Sequence, residues 1–330
     1  MVALKRAVRD PSLQATVLNT TPLFYSLGAD LSIDRSAHVR AGSSLSWFGD
    51  FLAIVQDDAN FLVLINPSDL QVNAIVLNTG EDGLREFDDL RGNKKFKLDL
   101  EACTTIPTTN GDLLLAFGSG STSRREQILI VTEQEPNSFI LKQASAFYQL
   151  LRDGTDFSGS ELNIEGVIFY NNHIRLFNRG NGAIRGNLVP INATCELDWN
   201  EFNAYLQNIN LQPPKIKNIC QYDLGELNGL SLSFTDATAT KNGIIFSATA
   251  ENSPDATKDG FVSGSVLGIL EDTPRWIELR NLDGSLFTLK VEGVCLSKKS
   301  KNRLYLVIDA DNPILPCKLC EIEITGEWRV

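Results

Sequence analysis

A degenerate segment recurs five times along this chain, and each copy carries an oxygen-bearing side chain at the same point. The copies open at Ser43-Ser44-Leu45, Glu101-Ala102-Cys103, Glu165-Gly166-Val167, Thr235-Asp236-Ala237 and Glu292-Gly293-Val294. Each runs on into a second apolar stretch: Leu52–Val55, Leu113–Phe117, Ile174–Phe177, Ile244–Ser247 and Leu304–Val307. A unit this short cannot bury its apolar face alone, so repetition at this interval means blades or a stacked array. If the copies close into a ring, Ser43, Glu101, Glu165, Thr235 and Glu292 all point at one axis.

Within each copy the two stretches are joined by hairpin signals: Phe48-Gly49-Asp50, Thr109-Asn110-Gly111-Asp112, Asn171-Asn172, Lys241-Asn242-Gly243 and Lys299 to Asn302. Third strands are expected at Phe61–Ile65, Gln127–Val131, Gly186–Ile191, Gly264–Leu270 and Leu319–Ile324, and fourth strands at Asn73–Leu77, Phe139–Lys142, Ile219–Asp223 and Arg275–Leu279. Four antiparallel strands per repeat is the blade of a β-propeller. The copies start 58, 64, 70 and 57 residues apart, and only 38 residues follow Glu292, enough for three strands. Leu13–Leu18 supplies a fourth and closes the ring. The expectation is an all-β, five-bladed propeller in one domain over residues 1–330. A six-bladed alternative would need another repeat hairpin within residues 1–42, where there is none. Apolar residues at helical spacing over Ser145–Asp153 and Cys195–Gln207 predict two inserted surface helices. Residues 80–97, rich in Asp, Arg and Lys, read as an exposed loop.

A net charge of −11 opposes binding to nucleic-acid backbones, which takes clustered Lys and Arg. No stretch approaches the roughly 20 apolar residues of a membrane span, and residues 1–10 are too charged for a signal-peptide core. A soluble, cytoplasmic protein is expected. Six cysteines lack the spacing of a disulfide scaffold, and the Cys317-Lys318-Leu319-Cys320 pair has no second half to complete a zinc site.

In an antiparallel hairpin the start of one strand and the end of the next share one end of the sheet. That rule gathers Gln56, Asp57, Asp58, Gly118–Ser121, Asn178, Arg179, Asn181, Thr249, Glu251, Asp309 and Asp311 around the axial five. Carboxylates at Glu101, Glu165 and Glu292 repel one another unless protonated or met by a cation. Ca²⁺, with six to eight oxygen ligands in flexible geometry, suits them and the hydroxyls of Ser43 and Thr235. The plain alternative is a water-filled polar channel. Of the two histidines, His173 falls in a hairpin turn at the other end and His38 precedes the first repeat, so any general base is expected to be a carboxylate, with Asp57, Asp58, Glu251, Asp309 and Asp311 as candidates, or a metal-bound water. The stretch Gly118-Ser119-Gly120-Ser121-Thr122-Ser123-Arg124-Arg125 combines flexible backbone, hydroxyls and guanidiniums. With Asn178, Arg179 and Asp309 it is a candidate cradle for an anionic small molecule.

The blade starts Gly42-Ser43-Ser44-Leu45, Leu100-Glu101-Ala102, Ile164-Glu165-Gly166, Phe234-Thr235-Asp236 and Val291-Glu292-Gly293 resemble those of the calcium-activated nucleotidases of the apyrase family, five-bladed propellers with a central calcium ion. The resemblance implies a calcium ring at Ser43, Glu101, Glu165, Thr235 and Glu292, and Asp57-Asp58 resembles an acidic pair following that family's first hairpin. The family's aromatic and basic nucleotide-recognition segments have no counterpart here. The Glu-Gly blade starts and the Gly-Ser-Gly-Ser-Thr loop are also similar to uncharacterised bacterial propellers related to phytase-like and esterase-like proteins. Two functions are therefore carried: a calcium-dependent hydrolase of a phosphorylated or other anionic small molecule, and a non-catalytic ligand- or protein-binding propeller whose ion is structural.

Overall fold

The computed structural model describes residues 2–253 and 260–328. The strands form antiparallel meanders of four. The first runs through Gly42–Phe48, Phe51–Gln56, Phe61–Asn66 and Gln71–Val76, and the second through Leu100–Thr108, Gly111–Gly118, Gln127–Thr132 and Ile140–Gln143. The third takes Ile164–Tyr170, His173–Asn178, Asn192–Asp198 and Lys217–Asp223. Leu230–Ala239, Ile244–Asn252, Phe261–Ile269 and Arg275–Asn281 make the fourth. In the last, Lys290–Leu296, Arg303–Asp309 and Lys318–Gly326 pair in turn, and Leu13–Pro22 joins antiparallel to Lys318–Gly326. The first strand of each meander packs against the first strands of its two neighbours, and the strand opening at Lys290 meets the one opening at Gly42. That closed circuit of inner strands is a β-propeller.

The residues before the first meander do more than complete the last one. Ala3–Arg6 lies parallel to the outer strand of the third meander, and Val8–Arg9 parallel to that of the fourth. Ala15–Val17 also pairs parallel with Leu279–Asn281. The segment thus runs along the outer edges of three successive meanders. Alternation of Leu13, Ala15 and Val17 inward with Gln14 and Thr16 outward fixes its register, because a one-residue slip would put the polar set in the core.

The third meander departs from the sequence expectation. Gly186–Ile191 is a loop, and the third strand is Asn192–Asp198, which includes part of the expected helix. Pro190 has no N–H to give a ladder, whereas Ala193, Cys195 and Leu197 alternate inward. Asp198 then caps the helix Trp199–Gln207, accepting from the Glu201 N–H. This helix and Ser145–Asp153 are not merely surface insertions. Phe147 packs 5.2 Å from Phe202, and both belong to one core cluster with Phe117, Tyr148 and Leu151 between the second and third meanders.

Residues 80–97 are a second departure. Glu86, Phe87, Asp88, Asn93 and Lys97 are buried. The reason is Arg40, whose guanidinium donates to the Phe87 carbonyl (2.9 Å) and lies 3.4 Å from both Glu86 and Asp88. Charge-rich composition here marks an internal ion network rather than a solvated loop.

Candidate functional site

Every inner strand carries a β-bulge, and each bulge falls on the same repeat position. The register slips between Gly42 and Ser44, Leu100 and Ala102, Ile164 and Gly166, Phe234 and Asp236, and Val291 and Gly293. The residues left out of the ladder are Ser43, Glu101, Glu165, Thr235 and Glu292. A bulge re-aims the extra side chain and ends regular pairing, so the five strands turn these positions inward together. Ser43, Glu101, Glu165 and Glu292 line a cavity of about 430 Å³ at one end of the ring. Thr235 does not line it. Its hydroxyl donates to Ser247 Oγ at 2.9 Å within the fourth meander.

The cavity wall holds ten carboxylates against five cationic side chains among the described residues. Two chains of alternating charge account for most of them. In one, Lys97 Nζ lies 2.5 Å from Asp57 and 2.6 Å from Asp99, and Arg125 meets Asp99 at 3.2 Å. In the other, Arg179 joins Glu165 (3.4 Å) to Glu251, and Lys290 joins Glu251 (3.7 Å) to Glu292 (2.9 Å) and Asp311 (3.3 Å). Between the chains, the Glu101 side chain makes no hydrogen bond or ion pair among the described residues, and the Asp309 side chain makes no ion pair among them but accepts from the Ala310 N–H. Asp57, Asp99 and Glu101 each bring a carboxylate oxygen within 4.8 Å of the others.

Burial without a counter-charge governs the protonation of this wall. Glu101 is held well above the usual carboxylate range by burial and then by Asp57 and Asp99. Burial likewise raises Asp309, with Asp311 and Asp57 adding to it, and pushes Glu292 up to about 8 against the opposing pull of Lys290. Asp58 is pushed up to about 7 by burial and the adjoining Asp57 although Arg40 sits 2.8 Å away. Asp99 goes the other way, because Lys97 and Arg125 outweigh its burial.

The remaining candidates divide. Asp57, Asp58, Arg125, Arg179 and Asp309 face the cavity. Glu251 lies behind them as the buried link between Arg179 and Lys290. Ser119 donates to Asp99 and shares a 2.8 Å hydrogen bond with Ser121, so both brace the wall without lining it. Asn178 is wholly buried: it accepts from the Asn163 N–H at 2.8 Å and donates to the Ile191 carbonyl at 3.0 Å, which closes a loop. Arg124 points outward to Glu81 and stacks over Phe96. The Gly-Ser-Gly-Ser stretch therefore serves as a wall support, and only Arg125 of its two arginines reaches the cavity.

Asp99, Asn163 and Lys290 were not singled out by sequence, although a signal exists. Each stands two residues before a bulge, as Ala41 does, and period-two alternation puts that position on the same face as the axial residue. Lys97, two residues earlier again, follows the same rule. Below the cavity, the residues after each bulge close the axis. Asp236 Oδ2 accepts from Ser44 Oγ (3.1 Å) and the Val294 N–H (3.0 Å), and a Cβ on Gly293 would come 2.9 Å from Ser44 Cα. A second, largely uncharged cavity of about 460 Å³ opens at the other end beside Trp47, Phe169 and Leu296.

Residues 38–324 match the model of a family of unknown function (DUF6929). The chain belongs to this family. No curated protein matches it. Among solved structures it is similar to Myxococcus xanthus glutaminyl cyclase, at 9% identity over 99% of each chain with a TM-score of 0.47. It is also similar to a luciferin-regenerating enzyme (11% identity, 88% of this chain and 92% of that one, TM-score 0.44) and to an auxiliary nutrient binding protein from Bacteroides thetaiotaomicron (10%, 92% and 76%, TM-score 0.40). At such distances these likenesses bring no chemistry to the family member described here.

Proposed function

We propose that this chain is a five-bladed propeller whose axial cavity is a small-ligand site organised around a divalent cation, with Ca²⁺ the ion best suited to it. The observation that carries the reading is Glu101, a carboxylate turned inward by its bulge, beside Asp57 and Asp99, with no partner of its own among the described residues. Oxygen donors that can gather around a large cation, together with Ser43 and water, are the ligand set Ca²⁺ accepts. Glu165 and Glu292 are already met by Arg179 and Lys290, so the fit is better at the wall by Glu101 than at the centre of all five axial positions. The resemblance of the blade starts to calcium-activated nucleotidases favours the same ion.

A divalent ion at this wall would supply Lewis-acid polarisation of a ligand oxygen. This chain's own residues do the rest: Arg125, Arg179 and Lys290 offer donors, and burial raises the proton affinity of Asp58 and Asp309 above the usual carboxylate range. Hydrolysis of an anionic small molecule, with Asp57 or Asp58 activating water, is the more specific extension. The carboxylate excess of the wall weighs against an anion entering without the cation. Titrating Ca²⁺ into metal-stripped protein by calorimetry tests the reading. Binding that Glu101→Gln abolishes and Thr235→Val leaves intact is expected. No heat of binding, with no calcium in the protein as purified, would sink it.

A further inference from the structure

We propose that the mouth of the acidic cavity is a docking surface for a polypeptide segment that inserts a cationic side chain flanked by apolar residues. The inference rests on the reading of this cavity as a binding site and names the partner's chemistry.

The first observation is where the exposed apolar side chains lie. Leu90 and Ile314 line the cavity mouth and are 89% and 74% exposed. The connections that close the same end of the ring add Ile184 at 71%, Val189 at 51%, Phe261 at 74% and Leu315 at 47%. Single exposed leucines are ordinary, but large apolar side chains on several loops around one opening mark an interaction surface. The loops are also tied down. Asn312 Oδ1 accepts from the Ile314 N–H, Asp88 Oδ1 from the Arg91 N–H, and His38 bonds the Pro313 carbonyl. A rim held in place this way presents its side chains without first having to order them.

The second observation is charge. Directly inside this rim, among the described residues, the wall carries twice as many carboxylates as cations, and Asp309, next to the Ile314 loop, makes no ion pair. One divalent ion at Glu101 leaves that excess in place. An apolar ring around an acidic well complements a lysine or arginine with apolar neighbours, the stem packing on the rim and the charge entering the well. Apolar contacts spread over loops of several meanders reach beyond the span of a small organic cation. A lipid surface would meet the rim but leave the acidic well unmatched, since it faces such a surface with like charge.

Fluorescence anisotropy with three labelled, end-capped pentapeptides tests this: Gly-Leu-Lys-Leu-Gly, and versions with norleucine or glutamate in place of lysine. The lysine peptide is expected to bind at least about tenfold more tightly than either, a difference of about 1.4 kcal/mol, and to weaken with added salt. The double variant Leu90→Ser, Ile314→Ser should lose that binding while its calcium isotherm stays that of the wild type, so failure here is separable from failure of the calcium reading. Equal affinity for the lysine and norleucine peptides, or no binding of any, overturns the proposal. So does rim-dependent sedimentation with phosphatidylcholine–phosphatidylglycerol vesicles in place of peptide binding, or a dimer by light scattering that the double variant dissolves.

Discussion

Removing the N-terminal strand is the sharpest test of how this ring holds together. Residues Leu13, Ala15 and Val17 are 1%, 3% and 6% exposed and pack with Leu279, Ile322 and Ile324. Fully burying a leucine or valine is worth about 1.5–3 kcal/mol, so Leu13 and Val17 together contribute roughly 3–6 kcal/mol. Loss of the strand also uncovers the inward faces of Ile322 and Ile324 and leaves Lys318–Gly326 without its outer partner. Against a whole-domain stability of about 5–15 kcal/mol, that loss removes most of the margin. A chain lacking residues 1–22 should show no cooperative melt by circular dichroism near the wild-type midpoint, and a synthetic peptide of residues 1–22 should restore one. The graded version is Leu13→Ala, expected to cost about 2–5 kcal/mol and to lower Tm by roughly 3–7 °C. Val8→Ala, at a half-exposed position outside that core, should change stability by no more than about 0.5 kcal/mol. A truncated chain that melts within about 2 °C of the full one would refute the closure argument, since no rearrangement elsewhere replaces that buried face.

Three further outcomes follow from the site. Glu292, ordinarily near 4.5, is raised by folding to about 8; the folded state then binds the extra proton, so stability falls as pH rises between those values, and Glu292→Gln should flatten that fall in a series of melts. Arg179→Leu leaves Glu165 and Glu251 facing each other without their guanidinium and should cost about 3–5 kcal/mol. Adding Glu165→Gln should return part of it, and strict additivity in the double-mutant cycle would show that the pair is not coupled. Gly293→Ala forces a Cβ to 2.7 Å from Val307 and 2.9 Å from Ser44 Cα, and a stability loss of about 1–3 kcal/mol by denaturant unfolding is expected, with an unchanged midpoint counting against a tight waist.

How much of this is legible in the chain depends on whether a signal is local. Hairpins are, because Asn171 and Asn172 both adopt positive φ in a two-residue turn between Tyr170 and His173, a conformation that asparagine tolerates. The inward positions are legible too, since repetition aligns five weak signals that would be silent one at a time. What sequence cannot show is which buried charge meets which. Arg40 and residues 86–88 are far apart in the chain, and only the ring brings them together, so a stretch rich in Asp and Arg reads as solvated when it is internal. Thr235 fails for a different reason: a bulge fixes where a backbone turns, while a hydroxyl on that residue takes the nearest acceptor, here Ser247. The Gly-Ser-Gly-Ser loop has the composition of an anion cradle, but Asp99 claims its first serine and one of its arginines before any ligand arrives.

The same competition explains why the axial glutamates are not equivalent. Three bulges present a glutamate, and position two before each bulge faces the same cavity. At Glu292 that neighbour is Lys290, which lies 2.9 Å away on the same strand and offsets part of the effect of burial. At Glu165 it is Asn163, whose amide donates to the carboxylate at 2.7 Å, while Arg179 supplies the charge. At Glu101 it is Asp99, another acid, with Lys97 committed to Asp99 and Asp57. One strand therefore carries its own counter-ion, one borrows it, and one concentrates negative charge. Exchanging the neighbours tests the logic directly. Asp99→Asn should lower the proton affinity of Glu101 by removing a repelling charge, and weaken calcium binding by removing a donor from the proposed set. If Asp99→Asn leaves the calcium isotherm unchanged, the cation does not bind at this wall, and the charge asymmetry of the three strands serves only to set which carboxylates stay protonated.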